Sequence, residues 1–179
     1  MKLLAFAASS SSTSINKALV THAAEVVKGE LHTPAEIEII DLNDFEMPIY
    51  SADHEKTAGI PELAQEFLDK IAAADVLLIS YAEHNGHYTA AFKNIFDWAS
   101  RIDSKVYQGK PMVIFSTSPG AGGGASVMSA AKTSAPFFGA DIKAHLSIPK
   151  FHENFDVESG ALTDADFKEQ LRAALSALF

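Results

Sequence analysis

The stretch AASSSSTSIN, residues 7–16, joins the first apolar run of the chain to its first helical pattern. The run Lys2–Ala8 is short, apolar and followed by serines, which is typical of a buried strand. Apolar residues then recur at the spacing of a helix, at Ile15, Leu19, Ala23 and Val26. A hydroxyl-rich turn is therefore predicted where a strand passes into the N-terminus of a helix.

Such a turn can bind an anion such as phosphate, because unpaired N–H groups and the positive end of the helix dipole converge there. The serine hydroxyls would add further hydrogen-bond donors. The alternative is an ordinary strand-to-helix turn with Ser14 as the N-cap, since serine is a preferred cap whatever the function. The turn alone leaves both interpretations open.

Five strand-like runs alternate with helical patterns along the chain: Lys2–Ala8, Ala35–Leu42, Val76–Ala82, Met112–Ser118 and Ile142–Ile148. This alternation predicts an α/β fold, a doubly wound parallel sheet with helices on both faces. The second and fifth runs contain alternating polar residues, as edge strands do, whereas the other three are almost continuously apolar. Edge positions for strands two and five select the flavodoxin-like order 2-1-3-4-5. The length of 179 residues predicts a single domain over residues 1–179.

Three helix signals accompany these strands. Pro61 suits the first turn of one helix, and Thr163 suits the N-cap of the last. The segment Thr89–Arg101 is predicted to be helical, with Lys93 and Asp97 as an exposed ion pair at i,i+4.

Two connections, Asn43–Gly59 and Pro149–Leu162, are longer than usual, and connections of this length often carry function. The first contains the apolar cluster Met47–Tyr50. Exposed apolar clusters are costly in water, so this one either covers a ligand or a partner subunit, or folds back on its own domain.

Composition excludes several classes of function. The net charge is −9 and the lysines and arginines are not clustered, which argues against nucleic acid and anionic membranes as partners. The chain has no cysteine, so disulfides and thiol catalysis are excluded. No run approaches the ~20 apolar residues of a membrane span, and the apolar N-terminal run is shorter than the ~7–15 residues of a signal peptide. We therefore expect a cytoplasmic protein.

Three loops follow the carboxyl ends of strands one, three and four: Ser9–Asn16, Glu83–Tyr88 and Pro119–Ser126. These strands are neighbours in the order 2-1-3-4-5, so the loops are predicted to form one continuous rim at the ligand-binding edge of the sheet. The third loop belongs to the glycine-rich run SPGAGGGAS, residues 118–126. Glycines allow the backbone to approach a ligand closely, although a flexible turn before a helix would have the same composition.

The motifs of this rim resemble those of the NAD(P)H-dependent FMN reductases, which include quinone, azo and chromate reductases. The first loop of that family reads GSxRxxSxN. Ser9, Ser14 and Asn16 match this pattern, whereas Ala8 replaces the glycine and Ser11 replaces the arginine.

The second family motif reads PEYN, then a short spacer and LKNxxDWxSR. The corresponding run here is AEHNGHYTAAFKNIFDWASR, residues 82–101, in which Ala82 and His84 do not match the motif. The residues that match it are Glu83, Asn85, Lys93, Asn94, Asp97, Trp98, Ser100 and Arg101. The glycine loop resembles the family pattern SxGxxGG at four positions: Ser118, Gly120, Gly123 and Gly124.

This resemblance implies which residues bind the cofactor FMN. The residues implied for the FMN phosphate are Ser9, Ser11, Ser14, Ile15 and Asn16. Those implied for the flavin ring are Ala82, Glu83, His84, Asn85, Ser118 and Gly120. No catalytic side chain is implied, because the cofactor carries the chemistry while the protein binds and orients it.

The resemblance further implies an oxidoreductase that takes hydride from NADPH or NADH and reduces a small-molecule acceptor such as a quinone or free flavin. It also implies a homodimer or homotetramer. The alternative is a flavodoxin-like FMN-binding module or electron carrier that does not use NAD(P)H productively.

Other chemistries have weaker support. His84 and His87 are spaced i,i+3, but no cysteine or well-spaced carboxylate completes a tetrahedral metal site, so no metal is expected. A serine hydrolase is disfavoured because the GxSxG motif is absent. The remaining histidines are interpreted as surface or packing residues: His22, His32, His54 and His145.

Overall fold

The computed structural model describes residues 1–29, 31 and 34–179. Within these residues the chain forms nine strands: β1 Lys2–Ala8, β2 Glu36–Ile39, β3 Val76–Tyr81, β4 Glu83–His84, β5 His87–Tyr88, β6 Pro111–Thr117, β7 Asp141–Ile148, β8 Phe155–Asp156 and β9 Ala161–Leu162. The α-helices in the same residues are α1 Ile15–Gly29, α2 Ala52–Ala58, α3 Glu62–Ala73, α4 Ala90–Ile102, α5 Ala125–Ser134, α6 Phe151–Asn154 and α7 Ala165–Ser176. Short 3-10 helices cover Leu42–Phe45 and Ala135–Phe138.

The long strands form a five-stranded parallel sheet in the order β2-β1-β3-β6-β7. Numbered along the chain, these five strands have the predicted order 2-1-3-4-5, with the polar-alternating strands at the edges. The prediction of a flavodoxin-like sheet is therefore confirmed. The second strand is shorter than predicted and ends at Ile39, and the chain then enters the 3-10 helix, whose N-cap is Asp41.

Each face of the sheet has its own apolar core. Along β1, Leu4 and Phe6 pack into a core shared with α3, α4 and α5, while Leu3 and Ala5 pack into a core shared with α1 and α7. Successive side chains of a strand point to opposite faces, so a strand covered on both faces must be apolar at every position. This requirement explains the unbroken apolar runs of the three central strands.

Two helix N-termini and one ion pair lie at or beside the residues predicted for them. Pro61 is the N-cap of α3, and the i,i+4 ion pair Lys93–Asp97 forms on α4 with an N–O distance of 2.7 Å. The predicted cap of the last helix is wrong by one residue, because Asp164 rather than Thr163 accepts the N–H of Phe167, at 3.0 Å.

The two long connections contain secondary structure of their own. The first holds the 3-10 helix Leu42–Phe45 and α2, and the second holds α6 and the β8–β9 hairpin. Among the four remaining histidines, His22 and His54 contact the rings of Phe155 and Trp98, while His32 lies outside the described residues.

The glycine-rich turn between β6 and α5 contains two glycines that cannot be replaced freely. Gly123 and Gly124 have φ of +59° and +76°, which side-chain-bearing residues rarely adopt. A Cβ on Gly124 would lie 3.0 Å from the Cβ of Ser116, inside β6. A Cβ on Gly120 or Gly122, in contrast, would stand in open space, with no atom of a non-neighbouring residue within 4 Å. The backbone at Gly123 and Gly124 is therefore closely packed, whereas Gly120 and Gly122 leave space for a ligand.

We predict that Gly124→Ala lowers the free energy of unfolding by about 1–3 kcal/mol, because the new methyl group combines backbone strain with a contact against β6. Urea denaturation followed by circular dichroism measures this change. Gly122→Ala is the matched control in the same turn and should change stability by less than about 0.5 kcal/mol. Equal effects of the two substitutions would contradict the described turn.

Candidate functional site

The β1–α1 turn forms the first part of the rim. The Ser14 side chain caps α1, since its Oγ accepts the N–H of Lys17 at 3.2 Å. Ser9 Oγ accepts the N–H of Ser11 at 3.2 Å, which folds the turn back on itself. Residues 10–13 are exposed. The backbone N–H groups of Ile15 and Asn16, in the first helical turn, have no carbonyl partner within the helix and are available to an anion.

Asn16 lies beneath this turn and is only 3% exposed. Its Oδ1 accepts hydrogen bonds from Ser80 Oγ at 2.8 Å and from the N–H of Thr117 at 3.1 Å. Its Nδ2 donates to the carbonyl oxygen of Thr117 at 3.2 Å. The side chain thus pairs with the end of β6 as another strand would, and it ties the start of α1 to β3 and β6. The side chain of Asn16 points into the protein, whereas its backbone N–H belongs to the unpaired N–H groups at the N-terminus of α1.

The loop after β3 is a tight hairpin rather than an irregular loop. The strands β4 and β5 pair antiparallel, with His84 opposite His87. Asn85 and Gly86 at its tip have φ of +52° and +79°, as a two-residue type I′ turn requires. Asn-Gly between two short runs is the recognised sequence signal for this turn, and the hairpin could have been predicted from it.

This hairpin lies against α5. Glu83 Oε2 accepts the N–H of Val127 at 2.9 Å, and Tyr88 Oη lies 3.0 Å from Ser134 Oγ. At the tip, a Cβ on Gly86 would lie 4.0 Å from the Cβ of Ser126. The hairpin and the start of α5 therefore form two adjoining walls of the rim.

The chain after β7 supports the glycine-rich turn from behind. The carbonyl oxygens of Ser118 and Gly120 accept the N–H groups of Phe151 and Lys150, at 3.0 and 2.9 Å. Ser118 Oγ also donates to the Gly120 carbonyl at 3.2 Å. Both carbonyls of the turn are thus already satisfied by hydrogen bonds within the protein.

The structure thus brings the eleven sequence-predicted residues together on one rim. Their side chains differ in direction and exposure: Ser11 and His84 are exposed, Ser9 and Ala82 are buried, and Glu83 is bound to α5. Sequence reasoning missed Thr89. Its buried Oγ1 donates to the Ala8 carbonyl at 2.9 Å and caps α4 through the N–H of Phe92, so it joins the end of β1 to the hairpin.

The apolar cluster Met47–Tyr50 folds back on its own domain and packs on α4. Asn94 Oδ1 accepts the N–H of Tyr50 at 2.8 Å, and Trp98 Nε1 donates to the Pro48 carbonyl at 2.7 Å. Met47 is buried, whereas the side chain of Ile49 stays largely exposed, at 84%. The Asn and Trp of the KNxxDW run therefore anchor this connection.

Charged groups are scarce at the β1–α1 turn. Residues 9–16 contain no charged side chain. Lys17, in the first turn of α1, forms an ion pair with Asp41, and this hydrogen bond lowers the pKa of the Asp41 carboxyl. The groups that the turn offers to a phosphate are therefore hydroxyls and backbone N–H groups.

An apolar groove of about 450 Å³ runs between α4 and α5 beside the hairpin. Its walls include Tyr88, Phe92, Phe96, Tyr107 and Phe138. Burial raises the pKa of Tyr88 and of Tyr107, so both remain neutral phenols at physiological pH. The groove is also lined by His87, by several hydroxyl side chains and by the ion pair Lys93–Asp97.

Two features are absent from the part of the chain that the structure describes. No group of three or more histidine, aspartate or glutamate side chains lies close enough together to bind a metal ion among these residues. In the same residues, no helix combines the length and apolar character that crossing a membrane needs.

We predict that Asn16→Ala lowers the free energy of unfolding by about 2–4 kcal/mol, because it leaves the buried Ser80 hydroxyl and the backbone groups of Thr117 without partners. Chemical denaturation measures the loss. Ser12→Ala, an exposed change in the same turn, is the control and should lie within about 0.5 kcal/mol of the wild type. A similar stability for Asn16→Ala and the wild type would show that these hydrogen bonds are not formed.

Comparison with known proteins gives the family. The family model described as NADPH-dependent FMN reductase matches residues 1–153. A NAD(P)H:quinone oxidoreductase from Solanum tuberosum is 33% identical over 173 residues, which cover 92% of this chain and 84% of that protein. An NAD(P)H-dependent FMN reductase from Pseudomonas aeruginosa is 30% identical over 182 residues, covering 99% of this chain and 93% of that protein.

Among solved structures, a flavoenzyme NAD(P)H:(acceptor) oxidoreductase from Paracoccus denitrificans superposes with a TM-score of 0.79. It is 25% identical to this chain, and the match covers 99% of this chain and 94% of the other. These matches confirm the resemblance that the rim motifs indicated. The chain belongs to the family of NADPH-dependent FMN reductases.

Proposed function

We propose that the rim binds FMN, with its phosphate at the β1–α1 turn and its ring between the hairpin and the glycine-rich turn. The phosphate would be held by Ser9, Ser11, Ser14, Ile15 and Asn16, the last two through their backbone N–H groups. The ring would lie along Ala82, Glu83, His84, Asn85, Ser118 and Gly120. The residues fit this cofactor because hydroxyls and free helix N–H groups suit a phosphate, and the open backbone at Gly120 and Gly122 permits close approach of a planar ring.

The single observation that carries this proposal is the convergence of these three segments on one edge of the sheet. The turn, the hairpin and the glycine-rich loop follow β1, β3 and β6, which are hydrogen-bonded neighbours. The first two of these strands flank the point where the strand order reverses, and ligands of doubly wound sheets bind there.

The activity is that of an FMN-dependent oxidoreductase, which takes hydride from NAD(P)H and reduces a quinone, a free flavin or a similar small acceptor. Bound FMN supplies the hydride-transfer chemistry. The protein's residues bind the phosphate, orient the ring and leave space for both substrates, and no side chain is assigned as an acid, base or nucleophile. The rival function is an electron carrier that binds FMN but does not oxidise NAD(P)H.

We also propose a homodimer or homotetramer in the cytoplasm. The groove between α4 and α5, whose walls are largely aromatic, lies next to the exposed Phe137 and supports an interface between copies of the chain. Light scattering of the purified protein tests this assembly, and a monomer would contradict it. The absence of cysteine agrees with a compartment in which disulfides do not form.

We predict that the purified protein binds FMN stoichiometrically and oxidises NADPH or NADH when a quinone is added. Calorimetry with FMN and absorbance at the nicotinamide band measure the two properties. FMN binding without NAD(P)H oxidation would favour the electron carrier. Failure of the folded protein to bind FMN would overturn the whole proposal.

We predict that Ser11→Arg tightens FMN binding by about tenfold or more, because a charge-assisted hydrogen bond replaces a neutral one at the phosphate. Riboflavin, which lacks the phosphate, should bind with nearly unchanged affinity. Ser11→Gln is the control, since it extends the side chain without adding charge. An equal change for FMN and riboflavin would place the phosphate elsewhere.

A further inference from the structure

Helix α5 begins at the glycine-rich turn, and its N-cap residue provides no side-chain hydrogen bond to the helix. Its N-cap is Gly124, which has no side chain and adopts a left-handed conformation with φ of 76° and ψ of 32°. The first N–H groups of a helix have no partner within it, and a cap from the local sequence normally satisfies one of them. The close contact with Ser116 requires glycine at this position, so the partner must come from elsewhere in the chain.

Glu83 supplies that partner from the hairpin. Its Oε2 accepts the N–H of Val127, the third residue of α5, at 2.9 Å across a sequence separation of 44 residues. Glu83 is half-buried, which shields the contact from solvent. A carboxylate at a helix N-terminus gains both a charge-assisted hydrogen bond and a favourable interaction with the helix dipole.

Because of the position of Glu83, this bond attaches the hairpin to α5. Glu83 is the first residue of the hairpin and pairs with Tyr88, whose hydroxyl is bound at the far end of α5, at Ser134. The hairpin is thus attached to α5 at both ends of the helix. Only the attachment through Glu83 lies next to the glycine-rich turn, so it fixes the separation of the two walls of the rim there.

We infer that Glu83 is a positioning residue, which clamps the hairpin to the N-terminus of α5 and thereby sets the width of the opening for the flavin ring. This inference rests on the proposed FMN site. The carboxylate acts by holding the two walls of the site together, because its bond to Val127 directs it at the helix. Glu83 would therefore border the ring through its backbone, while its side chain positions the hairpin.

The clamp itself can be tested without ligand. In Glu83→Ala, amide hydrogen exchange at Val127 should become about tenfold faster or more, because its N–H loses a charged acceptor. Glu83→Gln keeps a carbonyl oxygen in place and should retain most of the protection. Glu169→Ala removes an exposed carboxylate on α7 and should leave Val127 unchanged. Unchanged exchange in Glu83→Ala would overturn the clamp.

The effect on the opening is tested by binding FMN and riboflavin to the same variants. Glu83→Ala should weaken both ligands by the same factor, about tenfold, because the ring is common to both. The visible circular dichroism of the bound flavin should change as well. Glu83→Gln should restore most of the affinity and the wild-type spectrum. The altered spectrum of flavin bound to Glu83→Ala is the result that a loss of overall stability alone would not produce.

The possible results separate the two proposals. A wild type that binds neither flavin overturns the proposed function, and the role of Glu83 in flavin binding with it. A wild type that binds FMN, together with wild-type affinity and spectrum in Glu83→Ala, overturns the positioning role alone. A Gln variant as weak as the Ala variant, or a loss confined to FMN, would also contradict positioning through the hydrogen bond.

Discussion

Buried backbone groups at the carboxyl ends of the central strands are the constraint on which the rest of the structure depends. Strand pairing stops there, but the groups remain inside the protein, where an unpaired N–H or carbonyl is costly. The Asn16 side chain satisfies both the N–H and the carbonyl of Thr117, and the Thr89 hydroxyl satisfies the carbonyl of Ala8. Both side chains come from the first residues of helices or their caps. Completing the sheet therefore fixes where α1 and α4 begin.

This coupling explains why the rim is well defined although it is made of loops. Asn16 places the first turn of α1 against β3 and β6, and Thr89 places α4 at the end of β1. The hairpin between β3 and α4 is held at its other side by Glu83 and Tyr88, which bind α5. Each loop is thus attached at two points to elements of the core. The side chains that stabilise the sheet are for this reason the same ones that shape the proposed site.

Most of the fold could be predicted from the sequence because it depends on local pattern: continuous apolar runs for the central strands and polar alternation for the edges. The hairpin tip Asn85-Gly86 carries a local signal too, and the turn it forms was within reach of prediction. The cap at Asp164 was misplaced because Thr163 beside it can also cap a helix. The bonds made by Glu83 and Asn94 span 44 residues or more, so no local pattern could reveal them. For that reason the family motifs supply the candidate site residues, whereas only the structure shows which of their side chains bind other parts of the protein.

Charged side chains are scarce at the β1–α1 turn. The contacts that hold the loops in place are therefore important for the proposed function. A cationic side chain attracts a phosphate over a distance and tolerates some misalignment, whereas neutral hydroxyls and N–H groups bind well only when they point at its oxygens. Ser11 stands where the family has arginine, Lys17 is paired with Asp41, and the net charge is −9, so long-range attraction does not compensate. The affinity of the proposed phosphate site must therefore come from donors that are already oriented before the ligand arrives. The hydrogen bonds of the Asn16 side chain and the Ser14 cap supply that orientation, because they fix the N-terminus of α1.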